Sequence, residues 1–183
     1  SFGDERAVEN ACVVVVTSNK GLCGAFNTNV IKAAVATINE KFSAQLAAGK
    51  LTILPIGKKG YAYFAKRYKN SPIIEDYITL FDDLSFDNVA QVSQQLMDAF
   101  EDKAYDSIYV AYGRFRNAAV QYPECVQFLP VDKLESTSGN QSKHKADYIF
   151  EPNKEDLLKH LIPSILQTQF QKYLLDTHAS EHG

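Results

Sequence analysis

The sequence lacks any apolar run long enough to cross a bilayer. Its longest purely apolar run is Ala11–Val16, whereas a membrane-spanning helix needs about 20 such residues. Cysteines are few, since Cys12, Cys23 and Cys125 form an odd set without a CxxC pair or a Cys/His cluster. This excludes a disulfide framework and gives no basis for a zinc site. The net charge of −3 provides no strong field for nucleic acid or a membrane surface.

Motifs for catalysis and nucleotide binding are also missing. The turn TSNKGLCGAFN contains GxxG but neither GxGxxG nor GxxxxGK[ST]. No GxSxG elbow surrounds Ser18. His178 and His182 are four residues apart but have no third metal ligand in view. We therefore predict no catalytic residue, no cofactor site and no metal site.

Two alternatives stay open for the turn at 18–27. It follows a buried-type strand and opens a helix, a position that attracts phosphate. The chain is then alternatively a nucleotide- or phosphate-binding Rossmann-like enzyme or sensor, for which titration with ATP, NADH and phosphate is the test. Cys23 stands where a helix dipole can lower the pKa of its thiol. A redox module would need that pKa to lie well below about 7.

The 183 residues are 45% hydrophobic and 22% charged, which is typical of one globular domain with room for an appendage. β-rich apolar runs predict four strands, at 11–17, 51–56, 73–81 and 107–112. Apolar residues at helical spacing predict helices over 31–46 and 61–68, and a third that Ser85 or Asp87 caps. The alternation predicts an α/β, Rossmann-like three-layer domain with a mostly parallel sheet.

The second half of the sequence changes pattern. A short turn at 116–118 predicts an antiparallel hairpin, and Pro123 and Pro130 place its second strand at the sheet edge. Residues 132–147 are polar and predict a loop, and 148–152 predict a short ordered return. Asn153 is a suitable N-cap for a long helix to 181. Its apolar stripe comprises Leu158, Ile162, Ile165, Leu166, Phe170 and Leu174. A helix that extends beyond its own domain usually packs on another chain or segment. The length of this helix therefore predicts a partner.

Three stretches together resemble the γ subunit of F-type ATP synthases. They are VTSNKGLCGAFNTNVIKA at 16–33, YGRFRNAAVQYPECVQFLP at 112–130, and DYIFEPNKEDLLKHLIPSILQTQFQKYLLDTHASEH at 147–182. They occur in the family's order and separations, and the resemblance covers residues 10–183. It implies the central rotor stalk, which couples ion-driven rotation of the membrane ring to ATP synthesis and is itself not catalytic.

The resemblance also implies how the chain is divided. Residues 1–10 would be the remnant of an N-terminal helix, 11–152 a Rossmann-like foot domain that binds no nucleotide, and 153–183 the start of the C-terminal shaft helix. In the family the two helices form an antiparallel coiled coil. We therefore expect the chain to be a piece of a longer protein, with the stripe on its last helix lacking its mate.

Partners follow from the same resemblance. The family implies contacts with the α and β subunits through the shaft, and with the ε subunit and the c-ring through the foot. It implies no nucleic acid, and a membrane only indirectly. For the foot contacts, the resemblance indicates Tyr148, Phe150 and Glu151, and less strongly Arg114, Arg116 and Asn117. A structural strand that anchors the shaft is an equal alternative for the first three. The implied location is peripheral, on the cytoplasmic face of the bacterial inner membrane or the matrix side of a mitochondrion.

Overall fold

The computed structural model describes residues 1–19, 24–117, 120–132 and 143–181, with only the backbone described for Gly24, 143–153, Glu155, Ser180 and Glu181. Its elements in chain order are β1 (Ala11–Val16), α1 (Gly24–Lys41), α2 (Ser43–Ala47), β2 (Leu51–Ile56), α3 (Lys58–Arg67), a 3-10 turn (Leu80–Asp82), α4 (Phe86–Glu101), β3 (Ser107–Asn117), β4 (Val120–Leu129) and α5 (Lys143–Glu181). None of the helices in these ranges combines the length and apolar character that crossing a membrane requires.

The four strands form one sheet in the order β2-β1-β3-β4. β1 pairs in parallel with both β2 and β3, whereas β3 and β4 form an antiparallel pair. Every residue of β1 is buried, as its unbroken β-branched run predicts for a central strand covered on both faces. β4 lies at the edge, where the missing N–H of Pro123 is tolerated. The predicted α/β fold with an antiparallel edge hairpin is confirmed.

Helices cover both faces of this sheet and complete the predicted three layers. Val13 and Val15 of β1 pack with α1 and with Phe64 of α3 on one face. Cys12 and Val14 pack with α4 and α5 on the other face. The alternation of the β1 side chains between two clusters follows from the period of two along a strand. The predicted helix after Ser85 is also confirmed, because Ser85 Oγ accepts a hydrogen bond from the first turn of α4.

The strand predicted at 73–81 is wrong. Ile73 forms only an isolated parallel bridge with Ile53, and the segment then turns into the 3-10 turn at Leu80–Asp82. Further along, Gly57 N–H donates to the carbonyl of Ile78. The segment therefore touches the free edge of β2 at two places without forming a ladder, and its apolar side chains pack against the core from a loop.

The final helix begins earlier than predicted. α5 starts at Lys143, so the end of the predicted loop, the return at 148–152 and the proposed cap Asn153 all fall inside one helix. Asn153 is therefore not an N-cap, and the boundary at 152/153 lies within a continuous element. The helix also runs through Pro152 and Pro163.

Candidate partner-contact surfaces

The carboxyl ends of the parallel strands are the position where a nucleotide would bind in this fold. Among the described residues at this edge, the chain's own side chains accept hydrogen bonds from three backbone N–H groups. Ser18 N–H donates to Asn27 Oδ1 at 2.8 Å, and Asn27 Nδ2 donates back to the Ser18 carbonyl at 3.3 Å. At the start of α3, Gly60 N–H donates to Thr17 Oγ1 at 2.9 Å and Lys58 N–H donates to Asn19 Oδ1 at 2.8 Å. The N–H groups of Lys58 and Gly60 are the ones that a phosphate bound at the start of α3 would need.

The space at this edge is equally restricted. Gly57 has a φ of 104°, and a Cβ at this position would lie 2.0 Å from the Thr17 carbonyl oxygen. The end of β2 and the residue after β1 are therefore in direct backbone contact, and only glycine fits. Residues 20–23 of the turn, including Gly21 and Cys23, lie outside the described residues.

The two described cysteines are not reactive thiolates. Burial raises the pKa of Cys125 to about 11, partly offset by a hydrogen bond with Thr37. Burial alone raises the pKa of Cys12 beyond its usual range. Both thiols are therefore protonated at neutral pH and behave as small packed groups. In the part of the chain that the structure describes, no group of three or more His, Cys, Asp or Glu residues could hold a metal ion.

The β3–β4 hairpin carries the first predicted contact residues. Arg114 Nη1 donates to Glu124 Oε1 at 3.2 Å, and Tyr112 Oη donates to Glu124 Oε2 at 3.0 Å. The hydrogen bond to Glu124 raises the pKa of Arg114. The Tyr112 ring lies 4.5 Å from the ring of Tyr173 on α5. Glu124 thus links the exposed guanidinium to the buried contact between the hairpin and α5.

The end of the hairpin is open to solvent. Arg116 and Asn117 are exposed, and Arg116 Nη1 donates to Tyr122 Oη at 3.3 Å. Tyr122 is itself 41% exposed. The three residues Arg114, Arg116 and Asn117 therefore lie together on an accessible surface, and their contact with a partner stays a prediction. Residues 118–119 lie outside the described residues.

The second predicted set was Tyr148, Phe150 and Glu151. Their backbone belongs to α5, and their side chains lie outside the described residues. The alternative of a short anchoring strand at this position is wrong, because the segment is helical. Their contact with a partner stays a prediction.

The predicted stripe of α5 divides into two groups. Leu166, Phe170 and Leu174 are buried in the core of the sheet domain, whereas Leu158 and Ile165 are 43% and 38% exposed. Ile162 is half-buried at the boundary. Leu157 and Leu161 join the accessible group at 58% and 43%. We call Leu157, Leu158, Leu161 and Ile165 the exposed α5 face, and they lie within about 100° of one another around the helix axis.

Three contacts define the direction of α5. Successive contacts along the helix join Phe170 to Phe128, Tyr173 to Tyr112, and Thr177 to Gly113. The partners of Tyr173 and Thr177 follow each other along β3, so α5 runs in the same direction as β3. The part of α5 before Ile162 consequently points toward the amino end of the sheet, and Lys143–Leu161 corresponds to about 28 Å of helix at 1.5 Å per residue. The exposed α5 face lies near or on this part.

Gly113 allows β3 to lie close to two helices. A Cβ at Gly113 would lie 2.0 Å from the ring of Phe26 on α1. Gly113 N–H also donates to Thr177 Oγ1 of α5 at 3.3 Å. The hairpin therefore passes between α1 and α5, which fixes its position relative to both helices.

Sequence reasoning missed a cluster at the amino end of the sheet. Arg6 and Asp106 form an ion pair of 2.7 Å, with Asp106 only 7% exposed. Burial of Asp106 opposes ionisation, but hydrogen bonds from Arg6, Asn10 and Glu9 outweigh it, so the pKa of Asp106 is lowered. A signal was present, since each of the two residues shortly precedes one of two neighbouring parallel strands. The resemblance implied only that residues 1–10 are the remnant of an N-terminal helix.

Relatives of known family match the chain over its whole length. A family model described as ATP synthase matches residues 1–183. The ATP synthase gamma chain of Cytophaga hutchinsonii is 43% identical over 182 residues, which is 100% of this chain and 61% of that protein. The ATP synthase gamma chain of Flavobacterium psychrophilum is 43% identical over 183 residues, which is 100% of this chain and 60% of that protein. The chain thus spans about three-fifths of the length of the curated relatives it matches.

Solved structures share the fold. The central stalk and c-ring structure of Tetrahymena thermophila mitochondrial ATP synthase matches with a TM-score of 0.60 and 20% identity, covering 96% of this chain and 73% of that one. The rotor of Euglena gracilis mitochondrial ATP synthase matches with a TM-score of 0.59 and 19% identity, covering 96% and 63%. At this identity the likeness is one of fold, and it agrees with the sequence match. The chain belongs to the ATP synthase γ-chain family.

Proposed function

We propose that this chain is the sheet domain and part of the shaft helix of the central rotor of an F-type ATP synthase. In this role it couples ion-driven rotation of a membrane c-ring to ATP synthesis in a catalytic hexamer, without performing bond chemistry itself. The observation that supports this function most directly is the exposed α5 face. Four large apolar side chains lie on a helix whose other half is fixed in the core of a domain of this family.

The packing of the domain suits a mechanical role. The buried half of α5 rests on the sheet and α4 through Leu166, Phe170 and Leu174, and each of these residues is at most 2% exposed. Interiors packed in this way have low compressibility and transmit strain. A torque applied to the sheet would therefore be transmitted to α5, because the packed contact between them deforms little.

The exposed α5 face is the proposed contact with the second shaft helix. It has the apolar character of a coiled-coil seam, and the end of the sheet toward which this part of α5 points is also where Ser1–Asn10 lie, near Glu101 and Asp106. A helix that leads into residue 1 would end beside this face. The division into a remnant at 1–10, a foot and a shaft helix is part of this proposal, with the helix bounds given above.

The remaining partners belong to the same proposal. The α and β subunits would contact the shaft, and the ε subunit and the c-ring would contact the foot, with Arg114, Arg116 and Asn117 on the accessible end of the hairpin. The two matched structures are of a central stalk with a c-ring and of a rotor. The proposed location is peripheral, on the cytoplasmic face of a bacterial inner membrane or the matrix side of a mitochondrion.

The test is recovery of the complex with a tagged full-length protein. Leu157→Asp combined with Leu161→Asp is expected to lower recovery of the other ATP synthase chains by about tenfold or more, because each fully buried leucine contributes about 1.5–3 kcal/mol. Lys159→Asp is the control, since this exposed residue lies on the opposite side of the helix. Wild-type recovery with the double variant would contradict the role of this face.

A binding measurement tests the absence of a nucleotide site. The protein is titrated calorimetrically with ATP, NADH and inorganic phosphate. We expect no micromolar binding, because the N–H groups of Ser18, Lys58 and Gly60 are already engaged. Micromolar binding that the substitution Asn19→Ala changes would instead favour a ligand site at the 18–27 loop.

A further inference from the structure

Residues Ser1–Asn10 form neither helix nor strand, yet one arginine holds them to the domain from several directions. Arg6 Nε donates to Asp106 Oδ1 at 2.7 Å, and Arg6 Nη2 donates to the carbonyls of Phe100 and Tyr105 at 2.7 and 2.9 Å. Its guanidinium carbon also lies 4.2 Å from the centre of the Phe100 ring. The guanidinium therefore has three kinds of hydrogen-bond acceptor around it: the Phe100 carbonyl at the end of α4, the Tyr105 carbonyl between α4 and β3, and the Asp106 carboxylate.

Asp106 completes the arrangement from the other side. Its second oxygen, Oδ2, accepts hydrogen bonds from the backbone N–H groups of Glu9 and Asn10 at 2.9 and 3.0 Å. The Asp106 N–H in turn donates to the Asn10 carbonyl at 2.7 Å. Arg6 and the residues that lead into β1 are thus bound to one carboxylate at the start of β3. We call Arg6, Asp106 and the backbone of Glu9 and Asn10 the amino-end clamp.

A second contact joins the same segment to the exit from β4. Val131 N–H donates to the Phe2 carbonyl at 2.7 Å, and the Phe2 ring stacks on Phe100 with 6.5 Å between centres. The exposed ion pairs that join the segment to the rest of the domain are longer, at 3.6 Å for Ser1 with Glu101 and 3.9 Å for Glu9 with Lys50. Such exposed pairs contribute little. The clamp differs from these exposed pairs because both of its charged side chains are largely shielded from water, with side-chain exposures of 22% for Arg6 and 9% for Asp106.

We propose that Arg6 is a positioning residue that holds the polypeptide entering at Ser1 at a fixed angle to the sheet, so that this segment turns together with the sheet domain. This inference rests on the proposed rotor function and adds a specific joint to it. A planar guanidinium with hydrogen bonds in several directions resists both rotation and sliding, whereas a lysine ammonium provides a single mobile charge.

The test uses the full-length chain in the assembled complex, in membrane vesicles. Proton pumping and ATP hydrolysis are measured together, and their ratio is compared at equal amounts of incorporated chain. Arg6→Ala is expected to lower the ratio by about threefold or more. Arg6→Lys is expected to lower it by less, because lysine keeps the positive charge but lacks the planar group of hydrogen-bond donors. Lys50→Ala is the matched control, since it removes an exposed ion pair of the same segment, and it should leave the ratio unchanged.

The Arg6→Ala chain could fail to enter the complex in sufficient amount. A second measurement, on Arg6→Lys, then tests the proposal. Hydrogen exchange at the Glu9 and Asn10 amides is expected to quicken by about tenfold or more in Arg6→Lys while the amides of β1 stay protected. The proposed role of Arg6 would be contradicted if Arg6→Lys changed neither the ratio of proton pumping to ATP hydrolysis nor the hydrogen exchange at these two amides. Failure of the wild-type chain to join the complex is a different result, because it would remove the rotor function and this inference with it.

Discussion

Replacing Phe170 with alanine tests whether the second half of α5 belongs to the core of the sheet domain. Phe170 has no exposed surface, and its ring centre lies 5.6 Å from that of Phe128 and 6.3 Å from that of Tyr173. Truncation of a fully buried phenylalanine costs about 3–5 kcal/mol, through lost apolar transfer and a residual cavity. Total stability of a domain is about 5–15 kcal/mol, so a loss of this size is a large fraction.

Urea unfolding followed by far-UV circular dichroism measures this loss. With a slope of about 2 kcal/mol per molar urea, a loss of about 4 kcal/mol lowers the midpoint by about 2 M. Lys159→Ala is the matched control on the same helix, because Lys159 is exposed and lies on the side opposite the exposed α5 face, and it should cost about 0.5 kcal/mol or less. Equal losses for the two variants, or a Phe170→Ala loss below about 1 kcal/mol, would refute the packing of α5 on the sheet.

Three further substitutions test single features of the fold. Gly57→Ala should lower the free energy of unfolding by about 2 kcal/mol or more in urea titration, because the new Cβ would lie 2.0 Å from the Thr17 carbonyl oxygen at a φ of 104°; unchanged stability would contradict that contact. Asp106→Asn should be less stable than wild type near pH 7, and the difference should shrink as the pH falls through the lowered pKa of Asp106, below 3.8; a constant difference would contradict the clamp. Ser85→Ala should cost about 1 kcal/mol in a thermal melt, since Ser85 Oγ accepts from Asn88 N–H at 3.2 Å, and no change would exclude the cap.

Most of the fold could be predicted because local pattern and burial agree. The unbroken run Ala11–Val16 predicted a central strand, and every residue in it is buried. The strand predicted at 73–81 failed because β propensity alone does not provide pairing. Ile74 N–H donates to the Ile53 carbonyl, but the segment returns to β2 only once more, at Ile78.

The candidate surfaces could be predicted less completely, for two physical reasons. The apolar spacing along α5 is the same in its buried and exposed halves, so Leu158 and Phe170 cannot be distinguished without knowing where the sheet ends. The clamp joins Arg6 to a carboxylate 100 residues later, and only the strand order β1–β3 brings the two together. Periodicity reports which face of a helix is apolar, whereas contacts between distant residues depend on topology.

Rotation of this domain inside the working complex is the most direct test of the rotor function. A bead is attached through a cysteine substituted for Asn39, an exposed residue of α1, and the catalytic hexamer is fixed to a surface. On addition of ATP, the bead is expected to turn continuously in one direction. A bead that stays still while the same complexes hydrolyse ATP would contradict the proposal that this chain is part of the rotor.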